Sequence, residues 1–215
     1  MILKLFDNMS QCTETEVQRL LLMVSAQRRE QALRFRFLLG RFSCLKSYEM
    51  LKQCVEEVIS DVSEESEFKQ RLLQWNGSFV YNEHGKPMMQ DAKTGEAISG
   101  VDFSISHCKQ GIAVVLDSQP IGVDIESFRT PSDSLLRKTM NEQEIIRIKD
   151  AANPSVEFIR FWTQKEALVK MSGTGLVDEL PELLAASEVF ASASVKTLVN
   201  EERQYVCTLI CSKTI

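Results

Sequence analysis

The chain has 215 residues, 44% hydrophobic and 26% charged, with a net charge of −5. That length suits one large domain or two small ones, and the apolar fraction is enough for an ordinary core. The acidic balance argues against general nucleic-acid binding, which needs broad basic surfaces. The six cysteines form no C-x-x-C pair and there are only two histidines, so a zinc site has little support. The start, "MILKLFDNMSQC", lacks a basic stretch followed by a long apolar one, and does not read as a signal peptide. No apolar run approaches the roughly 18 residues that span a bilayer. A cytoplasmic protein with reduced thiols and no membrane contact is the expectation.

Ile2 to Phe6 alternate in polarity and predict a strand. From Thr13 to Glu30 the apolar residues Val17, Leu20, Leu21 and Val24 recur at helix spacing. The segment "RREQALRFRFLLGRFSCLKSYEMLKQCVEEVIS" continues that helical pattern, with its basic residues gathered in the first half. Val62 to Gln70 is polar and predicts a loop or a helix start. "WNGSFVYNEHGKPMM" has turn signals at Asn76-Gly77 and Gly85-Lys86-Pro87 around short β-prone pieces. "VDFSISHC" alternates and predicts a strand ending at Ser106-His107, with "GIAVVL" as its hairpin partner. "DSQP" then divides the chain into two halves, 1–118 and 119–215. "IGVDIE" opens the second half as a strand. Helices are predicted from Leu135 to Lys149 and from Ser155 to Met171, the second ended by "SGTG". The remainder is β-prone near 187–194 and 204–212.

Two elements carry chemistry. In a strand, Asp124 and Glu126 of "GVDIE" stand on one face, and Val123 and Ile125 on the other. Like charges that close repel unless a cation sits between them. A hard ion such as Mg²⁺ prefers oxygen ligands and suits the pair. A lone D-x-E is more often the polar face of a half-exposed strand, so a second element has to decide. The helix "FIRFWTQKEALVKMSGTG" supplies one. Glu166 and Lys170 are i, i+4 neighbours, with Lys165 beside them. Alone they are a surface ion pair worth about 0.3–0.5 kcal/mol. Beside Asp124 and Glu126, Glu166 adds a third carboxylate for a metal, and the lysines add cations for phosphate oxygens.

"IGVDIE" followed by "FWTQKEALVK" resembles the signature pair of the 4′-phosphopantetheinyl transferase family. "RREQALRF", "RFLLGR", "HGKP" and "SISH" stand upstream in the order of the longer, single-chain, surfactin-synthetase type. The resemblance covers about residues 25 to 175. It implies an α+β fold of two similar halves about a pseudo-two-fold axis, with coenzyme A in the cleft between them. It implies transfer of the phosphopantetheine arm of coenzyme A to a serine of an apo acyl or peptidyl carrier protein, releasing 3′,5′-adenosine bisphosphate. Asp124, Glu126 and Glu166 match the ligands of Mg²⁺, with Mn²⁺ as a substitute, and Glu166 matches the general base. Lys170 matches a phosphate contact, and Lys165 lies close enough to help it. Ser106 and His107 match the pair at the pyrophosphate. Lys86 matches a position near the adenine nucleotide. Arg28 and Arg36 match the grip on the 3′-phosphate. Gln31 stands where some relatives have lysine, which makes Arg29, Arg34 and Arg41 substitutes. The carrier is expected on the segment from Phe128 to Lys149, with Arg129, Arg137, Lys138 and Arg147 as charges and Leu135, Leu136 and Met140 as apolar anchors. A monomer is the expectation. The alternative is a non-catalytic module that binds coenzyme A or a carrier, which does not need all three acids. Another Mg²⁺-dependent phosphotransfer enzyme is disfavoured, because no G-x-x-x-x-G-K-[ST] loop is present.

Overall fold

The computed structural model describes residues 1–61, 66–175 and 180–212. The chain opens with strand β1 (Ile2–Phe6), as its alternation predicts. The long helical region that follows is three helices: α1 (Glu14–Met23), α2 (Ala26–Leu33) and α3 (Leu38–Ser60). The first break has a local cause. Val24 is extended (φ −103, ψ 161) and buried, and Ser25 then accepts the N–H of Arg28 to start α2. Helix α3 is the spine of the first half and buries Phe42, Leu45, Leu51 and Val55. Of the predicted loop, residues 62–65 lie outside the described part, and the rest leads into α4 (Glu67–Leu72).

Strands β2 (Trp75–Tyr81) and β3 (Pro87–Asp91) form a separate hairpin. Asn76-Gly77 lies within β2, beside a register shift between Trp75 and Phe79, and is not a chain reversal. The reversal is at Gly85, with φ +84. Strands β4 (Asp102–His107) and β5 (Ile112–Asp117) pair antiparallel, and β5 also pairs with β1. The first sheet therefore runs β1-β5-β4.

The second half begins with β6 (Ile121–Ser127). The single helix expected over Leu135–Lys149 is two, α5 (Asp133–Thr139) and α6 (Glu142–Asp150). The break repeats the earlier device. Met140 is extended and buried, and Asn141 and Glu144 close a reciprocal capping box. Helix α7 (Pro154–Ser172) has Asn153 as its N-cap and ends at Gly173, with φ +68. Part of the β-prone 187–194 stretch is helical: Ser187 caps a short helix, Glu188–Ser192, ahead of β7 (Ala193–Asn200). Strand β8 (Tyr205–Ser212) closes the second sheet, ordered β6-β8-β7. Both three-stranded sheets thus place their strands first–third–second. Among the described residues, no helix is long and apolar enough to cross a membrane.

Candidate active site

The polar face of β4 meets β6 at the seam between the sheets. Asp102 Oδ2 accepts the N–H of Ile121 at 2.9 Å, and Ser104 Oγ accepts that of Val123 at 3.1 Å. Ser106 Oγ donates to Asp124 Oδ1 at 2.7 Å. The alternation Asp102, Ser104, Ser106 therefore serves a neighbouring strand. These are side-chain bonds where a continuous sheet would have a backbone ladder.

Helix α7 lies directly on β6 because Gly122 has no side chain. A Cβ there would stand 1.9 Å from the carbonyl oxygen of Ala167. This close approach sets Glu166 and Lys170 against the acidic strand. The expected alternation of β6 holds, with one difference: both faces are covered. Val123 and Ile125 join an apolar cluster with Ala113, Val115 and Leu209. Asp124 is buried and Glu126 half-buried.

Lys170 does not pair with its helix neighbour. Its Nζ donates to Asp124 Oδ1 at 2.6 Å, so Oδ1 has two donors. Oδ2 of the same carboxylate is buried with no hydrogen-bond partner. An orphan carboxylate oxygen is costly unless another group uses it. Burial, then the charge of Asp124, pushes the carboxyls of Glu126 and Glu166 up, with Lys170 opposing both. Glu126 and Glu166 thus each sense the charge of Asp124. Among the described residues, however, no three such side chains converge on one point as a ready-made metal cage.

His107 ends β4, next to Ser106. Its side chain is exposed. The surrounding protein, then Lys170 and Arg28, lowers its pKa. One imidazole therefore senses cations from both halves. A cavity of about 180 Å³ lies between β4, the β2–β3 turn and the end of α7, lined by Lys86, Phe103, Ser104, Val169, Lys170 and Gly173 among others. Lys86 is tied into its wall. Its Nζ donates to Asp102 Oδ2 at 2.8 Å and to the Met171 carbonyl at 3.3 Å. Asn82 of the same turn donates to the Gly173 carbonyl at 2.9 Å. The β2–β3 turn is thereby fastened to the end of α7, where unpaired helix carbonyls attract donors. Asp102 and Asn82 were not singled out in the sequence, though the alternation of β4 placed Asp102 with Ser104 and Ser106. Asp102→Ala is expected to lower stability by about 1–3 kcal/mol, because it removes an acceptor from both the Lys86 ammonium and the Ile121 N–H. Chemical denaturation measures this.

The basic residues of the first half are less available than expected. Arg28 donates to the Cys44 carbonyl at 2.9 Å, Gln31 at 2.8 Å and Ser47 at 3.0 Å, and lies over the rings of Tyr48 and Phe79. Arg36 is exposed, with its guanidinium over Phe37. Of the substitutes, Arg29 donates to the Leu21 carbonyl, Arg41 to that of Phe35, and Arg34 pairs with Glu30.

Lys165 requires a correction. It has no solvent exposure, and its Nζ donates to Glu144 Oε2 at 2.7 Å and to three backbone carbonyls. It faces α5 and α6 and does not assist Lys170. A helix turns about 100° per residue, so Lys165 and Glu166 point apart. Leu136 and Met140 require the same correction. Both are buried in the core with Phe158 and Phe161, so neither can anchor a partner. Ile146 of α6, 59% exposed, is the large apolar side chain on that surface. Arg129 lies over Trp162 and Phe158, Arg147 over Phe161, while Arg137 and Lys138 are exposed.

Residues 120–212, which hold both acidic elements, match the model of the 4′-phosphopantetheinyl transferase superfamily. The chain is similar to the 4′-phosphopantetheinyl transferase ffp of Bacillus subtilis, 29% identical over 76% of this chain and 66% of that protein. It is similar to Sfp of Bacillus subtilis strain 168, 31% identical over 46% of this chain and 42% of that protein. It is also similar to HetI of a Nostoc species, 32% identical over 51% and 48%. The matched stretch spans less than two thirds of each relative's length. Through its residues 120–212, the chain is thus similar to the 4′-phosphopantetheinyl transferase superfamily.

Proposed function

We propose that this protein transfers the 4′-phosphopantetheine arm of coenzyme A to a serine of an apo acyl or peptidyl carrier protein. The observation that carries the reading is the gathering of Asp124, Glu126, Glu166 and Lys170 where α7 lies on β6, with Lys170 also lining the adjoining cavity. Its relatives named 4′-phosphopantetheinyl transferases support it.

In this reading Glu166 accepts the proton of the carrier serine. The serine oxygen bonds to the phosphorus on the pantetheine side, and the anhydride bond to the adenosine-side phosphate breaks. Lys170 and His107 hold phosphate oxygens, and Ser106 orients Asp124. Lys86 and its turn form the nucleotide end of the cavity. Asp124, Glu126 and Glu166 would hold Mg²⁺. The orphan Oδ2 of Asp124 and an all-oxygen donor set fit such an ion. When bound, the ion supplies charge stabilisation at the pyrophosphate.

The shared first–third–second strand order supports two related halves, 1–118 and 119–215. Six unpaired cysteines agree with a reducing compartment, and a site assembled within one chain agrees with a monomer. Release of 3′,5′-adenosine bisphosphate, followed by chromatography, tests the reading. Release that needs both apo carrier and Mg²⁺ is expected. Binding of coenzyme A with no release would instead favour a non-catalytic binding module.

A further inference from the structure

We propose that the buried Lys165–Glu144 pair is the tether that holds helices α5 and α6, the carrier-facing part of the proposed transferase, in fixed register with catalytic helix α7. The inference rests on the transferase reading and makes Lys165 and Glu144 positioning residues.

The geometry of one ammonium group carries it. Lys165 Nζ reaches Glu144 Oε2 at 2.7 Å, Pro181 O at 2.8 Å, Thr139 O at 2.9 Å and Leu180 O at 3.0 Å. An ammonium has three protons, so no donor is left over for a phosphate. The partners come from three separate segments. Thr139 ends α5, Glu144 is in the first turn of α6, and Leu180 and Pro181 lie beyond the end of α7. Glu144 Oε2 also accepts the N–H of Asn141 at 3.0 Å, so the α6 cap and the tether share one oxygen. Glu166 is the next residue along the chain from Lys165.

A stabilising role alone does not account for this arrangement. Replacing a buried ion pair with apolar groups is often neutral or stabilising. Leu136, Met140 and Ile148 already pack α5 and α6 on Phe158 and Phe161. Apolar packing is non-directional and leaves sliding cheap. Directional bonds from a single point fix the register. The exposed face of the same two helices carries Arg137, Lys138 and Ile146, which would receive an acidic carrier.

The test is a K165M/E144Q double variant. It removes both charges and keeps an acceptor for the Asn141 N–H. Its KM is measured separately for apo carrier and for coenzyme A, and hydrogen exchange is followed over residues 133–150. The tether predicts that KM for carrier rises about tenfold or more while KM for coenzyme A moves less than about threefold. It also predicts exchange faster by about tenfold, confined to 133–150. Equal shifts in both KM values, or unchanged KM and exchange, overturn it. If the double variant does not fold, E144Q alone is read by the same criteria. If the wild-type chain transfers nothing to any carrier, the transferase reading falls. Exchange then decides the tether alone: local acceleration upholds it, and unchanged exchange overturns it.

Discussion

Glu166→Gln is expected to lower transfer by about 10²–10⁴-fold, the usual contribution of a positioned general base. Folding should not suffer. Burial and the neighbouring Asp124 charge already push this carboxyl up, so the folded protein disfavours its ionised form. A neutral amide of the same shape removes that penalty. Affinity for coenzyme A measured without Mg²⁺ should stay close to wild type, since Lys86, Lys170 and the other residues lining the cavity are untouched. Steady-state transfer, thermal unfolding and coenzyme A titration on one preparation separate these effects. Retained activity, or a loss that tracks unfolding, counts against Glu166 as the base.

The second large effect belongs to a residue with no functional group. In Gly122→Ala the new methyl carbon would stand 1.9 Å from Ala167 O and 2.8 Å from Met171 N. Both are backbone atoms of α7 and cannot rotate away. The helix must lift from β6, and Glu166 and Lys170 move with it. The Lys170–Asp124 bond at 2.6 Å then cannot persist unchanged. Overpacking usually costs 1–3 kcal/mol, and a clash with backbone belongs at the top of that range or above. The expected result is a loss of about 3 kcal/mol by denaturant unfolding, a large share of ordinary domain stability. Transfer should fall by orders of magnitude even at temperatures where the variant stays folded. A variant with wild-type stability would mean that β6 and α7 do not pack as described.

Much of this site is legible in the sequence, because its parts are local patterns. The alternation in β4 and β6 gives the strand faces. The "SGTG" stop gives the end of α7, where Gly173 adopts φ +68. The i, i+4 spacing puts Glu166 and Lys170 on one side of that helix. The same logic misses what depends on tertiary packing. Val24 and Met140 fit helical periodicity, yet each is extended and buried between two helices. Their burial requires a turn that no apolar count reveals. Lys165 reads as a second phosphate lysine beside Lys170 until α6 and residues 180–181 close over it. Leu136 and Met140 read as docking anchors because apolar residues look alike until the core claims them. Pairing Lys170 with Asp124 rather than Glu166 requires β6 and α7 to be in contact, which the sequence states only through Gly122.

The most direct test of the central claim is the intact mass of an apo carrier protein after incubation with this protein, coenzyme A and Mg²⁺. The account predicts a gain of one phosphopantetheinyl group on the carrier serine. The gain should vanish with EDTA, with Glu166→Gln, and with a carrier whose serine is replaced by alanine. No mass gain on any of several carriers, with the protein folded and coenzyme A bound, would contradict it.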